Sequence, residues 1–236
     1  MFGIPAPTRL DLNFRLFGIP IRVTPFFWLL AVLIGFSFGQ GGANPEDPAI
    51  IAGCVFLSVL VHELGHGLTA RLGGERPWIV LHGFGGVCAS DHHQRGFGSR
   101  LLVTVMGPVA GFLLAIATVI LWAALVTFEV PLGPRLELAF LMLLVLNVIY
   151  SLFNLIPIWP LDGGQLLLTM LDRVSPRNGA RRAHILSFLA AGTGAAIAAI
   201  WAQWLVPTLL LGYFAFTNYV LLSHYHRMAM AERESY

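Results

Sequence analysis

The sequence predicts an all-α polytopic membrane protein of about six transmembrane helices with a small β-hairpin, and three observations predict it. Of 236 residues, 57% are hydrophobic and 11% charged, a balance that leaves a water-soluble domain of this size short of polar surface. The apolar residues collect in long blocks, and about 20 apolar helical residues cross about 30 Å of hydrocarbon. The fourteen basic residues are all arginine, and nearly all fall in alternate segments between blocks, as in loops kept on one side of a bilayer.

The blocks lie near residues 24–39, 48–70, 101–128, 138–158, 184–204 and 205–222. Pro25 opens the first, and Pro207 and Gly212 interrupt the last, so these two are expected to tilt, break or lie at the interface. Pro5, Pro7, Asp11 and three arginines precede block one, and no small-residue cleavage pattern follows it. It is therefore expected to stay in the mature chain. Arg9, Arg15 and Arg22 precede block one; Arg71, Arg76, Arg95 and Arg100 separate blocks two and three; Arg173, Arg177, Arg181 and Arg182 separate four and five; Arg227 and Arg233 follow six. Arg135 alone lies among the opposite segments, which carry Glu46, Asp47, Glu129 and Glu137. Both termini are thus expected in the cytoplasm. The net charge of +2 then reflects topology, and no nucleic-acid partner is expected. Cys54, in an apolar helix, and Cys88, in a loop on the cytoplasmic side, are expected to be reduced. Without tandem repeats or a linker, residues 1–236 are expected to form a single membrane-embedded domain.

Block two contains Leu-Val-His-Glu-Leu-Gly-His-Gly, which sets His62 and His66 four residues apart on one helical face with Glu63 beside the first. Two imidazoles at that spacing can grip one metal ion, and a carboxylate next to a ligand can take a proton from a metal-activated water. Each ionisable group in an apolar crossing costs about 2.5 kcal/mol or more unless it is paired, ligated or hydrated. A buried polar cluster and a proton pathway are the alternatives to a metal site.

A hydrolytic zinc site has three protein ligands, so a third is needed. About a hundred residues downstream stands Asn154-Leu-Ile-Pro157-Ile-Trp-Pro160-Leu-Asp162-Gly163-Gly164-Gln165. Asp162 is a lone carboxylate between two apolar runs, a costly position unless something positive faces it. Pro157 and Pro160 break the helix there, and the glycine pair permits close backbone approach. The alternative for Asp162 is an ordinary cap on the helix that follows.

Together the two motifs resemble the site-2 protease family of intramembrane zinc metalloproteases, in a minimal six-helix form without an appended soluble domain. The resemblance implies a catalytic core over about residues 48–172, one Zn2+ per chain held by His62, His66 and Asp162, and Glu63 as catalytic acid and base. For Asn154 it implies contact with substrate or oxyanion, beside the plainer role of satisfying loose backbone carbonyls. It further implies hydrolysis of peptide bonds in or near the transmembrane segments of membrane-protein substrates, within a lipid bilayer. The short loops opposite the arginine-rich side offer no large regulatory domain, so regulation is expected from a separate regulatory membrane protein or from substrate trimming. The expected location is a bacterial cytoplasmic membrane. Three alternatives stand beside this one, the plainest being a structural six-helix protein. A metal-ion transporter would string ligands along a path, whereas here one compact set includes a base; a catalytically silent membrane-binding relative would have lost Glu63 or a ligand.

Two further stretches fit the same family. Gly107-Pro108-Val109-Ala110-Gly111 places small residues four apart and is read as helix packing without chemistry. Residues 78–89 offer a β-prone run, a glycine turn and a second short run, a hairpin expected beside the active site, where its edge would receive an extended substrate. A plain cytoplasmic loop is the alternative. His82, Asp91, His92 and His93 are candidate ligands on the same side but are read as solvated. His184, His224 and His226 are read as interfacial.

Overall fold

The computed structural model describes residues 5–38, 46–83, 85–91, 96–202 and 205–234. Its strands are β1 (Leu12–Leu16), β2 (Ile19–Val23), β3 (Pro77–His82) and β4 (Gly85–Ser90). Its helices are α1 (Pro25–Phe38), α2 (Asp47–Leu72), α3 (Phe97–Thr127), α4 (Pro134–Asn154), α5 (Asp162–Val174), α6 (Gly179–Ile197) and α7 (Leu205–Glu234), with a π-helical stretch, Ala198–Ala202, after α6. The chain forms two compact units, residues 1–152 and residues 153–236.

Five helical stretches among the described residues are long and apolar enough to cross a membrane: Asp47–Leu72, Phe97–Thr127, Pro134–Asn154, Gly179–Trp201 and Leu205–Tyr225. The first apolar block forms α1, whose 14 residues rise about 21 Å at 1.5 Å each, short of the hydrocarbon thickness. The expected count of six thus becomes five spanning helices and one shorter apolar helix. The segment after Pro160, which no hydropathy block included, is the separate 13-residue helix α5.

In the first unit, the expected hairpin is present as β3 and β4, paired antiparallel with Trp78 opposite Ala89. It belongs to a four-stranded sheet of order β1-β2-β3-β4, and the two additional strands come from the segment read only as an arginine-bearing approach to the membrane. In β2, Ile19, Ile21 and Val23 are buried and alternate with Pro20 and Arg22, the period of a half-buried strand. The β1–β2 connection is Phe17-Gly18, with φ of 49° and 72°, a pair of positive angles that matches the twist of the flanking strands. Arg71, in the last turn of α2, donates to the Phe17 carbonyl and fills the space that a side chain at Gly18 would need. The β2–β3 pair is parallel, Ile21 opposite Ile79, so it forms only after α1 and α2 have returned the chain.

Helix α2 begins with Asp47 and Pro48, a carboxylate suited to the positive end of the helix dipole and a proline whose missing N–H costs nothing there. It ends at Leu72, where Gly73 donates to the Thr69 carbonyl at 3.1 Å and Gly74 takes a φ of 85°. Its apolar window is 67% buried, against 17–28% for the other four spanning helices, so α2 is the helix enclosed by protein. Ile51, Val55 and Val59 of α2 pack with Phe27 and Ala31 of α1 and with Ile21 and Leu81 of the sheet. In the second unit, Ile158 and Leu161 pack with Ala191 of α6 and with Phe214 and Ala215 of α7.

His82, at the end of β3, is buried rather than solvated, and burial holds its imidazole below the usual histidine pKa because the charged form loses hydration. A folded-state pKa below the unfolded value means that the unfolded chain binds the proton first, so stability is lost as pH falls below about 6.5 and through the lowered value. Melting temperatures of wild type and His82→Gln between pH 7.5 and 5.5 should therefore converge or cross on acidification, with the wild type losing more.

Candidate metal centre

His62, Glu63 and His66 lie on α2 and are 1%, 4% and 8% exposed. Helical spacing brings the two imidazoles edge to face, with ring centroids 4.9 Å apart and Nε2 atoms 3.3 Å apart. Two nitrogens bound tetrahedrally to one zinc at about 2.0–2.1 Å would be separated by about 3.3 Å. The pair already has the spacing of two ligands of a single ion.

The tautomer follows from α3. His66 Nδ1 lies 2.8 Å from the Val103 carbonyl oxygen, which can only accept, so Nδ1 carries the hydrogen and Nε2 presents its lone pair. Gly107, one turn further along α3, is the second support: a Cβ there would overlap the His66 imidazole, Nε2 included. Gly65 of α2 is the reciprocal contact, where a Cβ would overlap the Met106 carbonyl. Gly111 faces a third helix, and its Cβ would meet Ser151 Oγ of α4. The Gly-x-x-x-Gly pattern read as packing alone is thus packing in which one glycine shapes the seat of a candidate ligand.

The β-hairpin flanks the same residues. A Cβ on Gly86, the second residue of β4, would overlap the Glu63 side chain at Cγ, Cδ and Oε1. Gly85 adopts a φ of 120°, and a Cβ there would come within 3.1 Å of the Tyr150 hydroxyl. Tyr150 in turn meets the His62 ring edge-on at 4.8 Å. Phe27, Leu30, Ile34, Val55 and Leu146 line an apolar cavity that reaches Gly85 and Tyr150.

Asp162 is 6% exposed and is the first residue of α5. The helix-capping position belongs to Leu161, and Asp162 is the acidic residue of the first turn. Gly163 and Gly164 let the broken segment fold onto the first turn of α5: a Cβ on Gly163 would overlap the Leu155 carbonyl, and one on Gly164 the Trp159 nitrogen and the Ile158 carbonyl. Asn154 is the last residue of α4 and is 9% exposed. His62 and His66 come together in the first unit, and Asp162 stands at the start of α5 in the second. His92, His93 and Arg95 lie outside the described residues, as does the side chain of His226.

Sequence reading missed the supports: Val103 and Tyr150 carry no motif, and Gly86 was read only as part of a turn. His184, read as interfacial, is 4% exposed.

Five spanning helices, one of them the buried helix that carries His-Glu-x-x-His, define an integral multi-pass membrane protein with a candidate metal site. Residues 134–198 match the model of peptidase family M50. A Synechocystis sp. protein, provisionally named a zinc metalloprotease, is 30% identical over 86% of this chain and 57% of its own length. A zinc metalloprotease of Methanocaldococcus jannaschii is 32% identical over 68% of this chain and 45% of its own. Stage IV sporulation protein FB of Bacillus subtilis is 31% identical over 72% and 54%. The solved site-2 protease from Methanocaldococcus jannaschii shares the fold, with a TM-score of 0.62 and 23% identity over 90% of this chain and 95% of that one. The family match lies within residues 134–198, and the likeness to the curated relatives extends over most of the chain. The chain spans about half the length of the curated relatives it matches.

Because Gly107 leaves the volume that the His66 ring occupies, Gly107→Ala should displace that ring. Divalent-metal affinity, read by competition with a chromophoric chelator, should fall about 10- to 100-fold. Gly53→Ala, at a position with open space around it, should leave affinity unchanged.

Proposed function

We propose that this chain is an intramembrane zinc metalloprotease that hydrolyses peptide bonds in or near the transmembrane segments of membrane-protein substrates. The observation that carries the reading is the buried pair His62 and His66, set at the separation of two ligands of one ion with Glu63 next to the first on the same helix; the buried Asp162 of the second motif is read as the third ligand. Two neutral imidazoles and one carboxylate are the donor set of a hydrolytic zinc that keeps a position open. Bound there, zinc supplies Lewis-acid polarisation of a carbonyl and lowers the pKa of water toward about 7.

In this reading, His62, His66 and Asp162 hold the ion. The Val103 carbonyl keeps His66 in the ligating tautomer. The Glu63 carboxylate takes a proton from the attacking water and hands it to the leaving amine nitrogen. Gly86 keeps the adjacent strand close while leaving room for that carboxylate. Asn154 serves as a donor to substrate or to the developing oxyanion.

A helical peptide bond is shielded and already hydrogen-bonded, so a substrate must be unwound before attack. Strand β4 is an edge of the sheet, and an edge strand can pair with an extended segment and keep it extended. The cavity reaching Gly85 and Tyr150 suits apolar side chains of such a segment. The arginine distribution supports cytoplasmic termini in a bacterial cytoplasmic membrane, with water entering from that side. A separate membrane protein would supply regulation.

The test is cleavage of a single-pass substrate by protein reconstituted in liposomes, with bound zinc measured in parallel. Wild type should bind one zinc and cleave; Glu63→Gln should keep zinc and lose cleavage; Asp162→Ala should weaken zinc. Equal cleavage by wild type and Glu63→Gln would overturn the mechanism. Gly86→Ala should lower kcat at least about tenfold with zinc retained, because the added methyl displaces the proton-carrying carboxylate.

A further inference from the structure

The irregular segment between α4 and α5 carries backbone polar groups that no helix satisfies, and unsatisfied groups at membrane depth cost several kcal/mol each. At Trp159, both are met by side chains of other helices. The Trp159 N–H donates to Ser187 Oγ of α6 at 3.0 Å, and the Trp159 carbonyl accepts from Asn218 Nδ2 of α7 at 2.8 Å. Asn218 Nδ2 also donates to the Phe214 carbonyl at 2.8 Å, so its Oδ1 is the acceptor that faces His184 Nδ1 at 2.9 Å. His184 therefore carries its hydrogen on Nδ1. Its ring also meets the Trp159 indole edge-on at 5.9 Å. Ser187 and Asn218 are fully buried.

This peptide bears directly on α5. The Trp159 nitrogen held by Ser187 is the atom that a Cβ on Gly164 would strike first, and Gly164 is two residues from Asp162 in the same helical turn. Apolar packing of Ile158 and Leu161 against Ala191, Phe214 and Ala215 already joins these elements without any polar group. Two buried side chains bonded to one peptide, one of them held in turn by His184, add direction, which apolar contact does not supply.

We propose that His184, Ser187 and Asn218 are positioning residues: they clamp the Trp159 peptide and, through its contact with Gly164, set the first turn of α5 so that Asp162 meets a metal ion in ligating geometry. The proposal rests on the reading of Asp162 as a zinc ligand. Residues on α6 and α7, far along the chain from either motif, thereby act on the metal centre without touching it.

The experiment uses the full chain in detergent and measures zinc affinity by chelator competition, kcat and KM on a single-pass substrate, and melting temperature. Asn218→Leu, which removes both the donor to Trp159 and the acceptor for His184, should weaken zinc about 10- to 100-fold and lower kcat with KM unchanged. Ser187→Ala, the milder variant should Asn218→Leu fail to fold, should shift both in the same direction, and Ser187→Thr, which keeps the hydroxyl, should restore them. Leu210→Ala, a packing change in the same cluster, should lower the melting temperature and leave zinc affinity as in wild type. Wild-type zinc affinity and kcat in Asn218→Leu or Ser187→Ala would overturn the clamp, as would an equal loss of affinity in Leu210→Ala. A wild type that binds no zinc, or that cleaves as well with Glu63→Gln, would instead remove the enzymatic reading, and the clamp with it.

Discussion

The structure depends on one constraint: α2 carries two imidazoles and a carboxylate in a helix enclosed by protein and apolar surroundings. Ionisable groups there are tolerated only when ligated, paired or hydrated, so everything packed around α2 must serve those groups as well as bury the helix. The 3.3 Å separation of the two Nε2 atoms shows how little freedom remains. Spacing along the helix sets which face the imidazoles share, and the Val103 carbonyl on α3 sets which nitrogen of His66 carries the hydrogen.

Glycine is the means by which backbone reaches these groups. Gly65 and Gly107 let α2 and α3 approach until a carbonyl and an imidazole fill the space of the missing side chains, and Gly86 does the same for strand β4 against Glu63. Small residues commonly admit close helix approach in membranes. Here the close approach places backbone against His66 and Glu63, so packing and the geometry of the candidate site are one feature. Strand β4 also stands at the end of the strand order, and a sheet edge beside the Glu63 carboxylate suits an extended chain.

The segment around Asp162 solves a different problem. Prolines at 157 and 160 remove backbone donors and end α4, which frees the carboxylate from a regular helix but leaves peptide groups to be satisfied. Side chains from α6 and α7 do so at Trp159, and Gly163 and Gly164 bring the broken stretch onto the first turn of α5. The helices beyond the two motifs therefore do more than anchor the chain in a bilayer.

The sequence by itself determined whatever depends on local spacing. The apolar runs are counted along the chain, the histidines are four residues apart whatever surrounds them, and the proline–glycine stretch marks its own break. Asp162 stood out because a lone carboxylate between apolar runs is costly. Block one was legible as apolar but not as a 14-residue helix, and β1 and β2 were masked by their arginines, because the parallel pairing of β2 with β3 joins segments more than fifty residues apart. The tautomer of His66, the seat made by Gly107, the contact of Gly86 with Glu63 and the burial of His184 against Asn218 were decided by tertiary structure alone. Each depends on which faces of separate elements meet, and a single element's periodicity records the face it offers but not the partner that takes it.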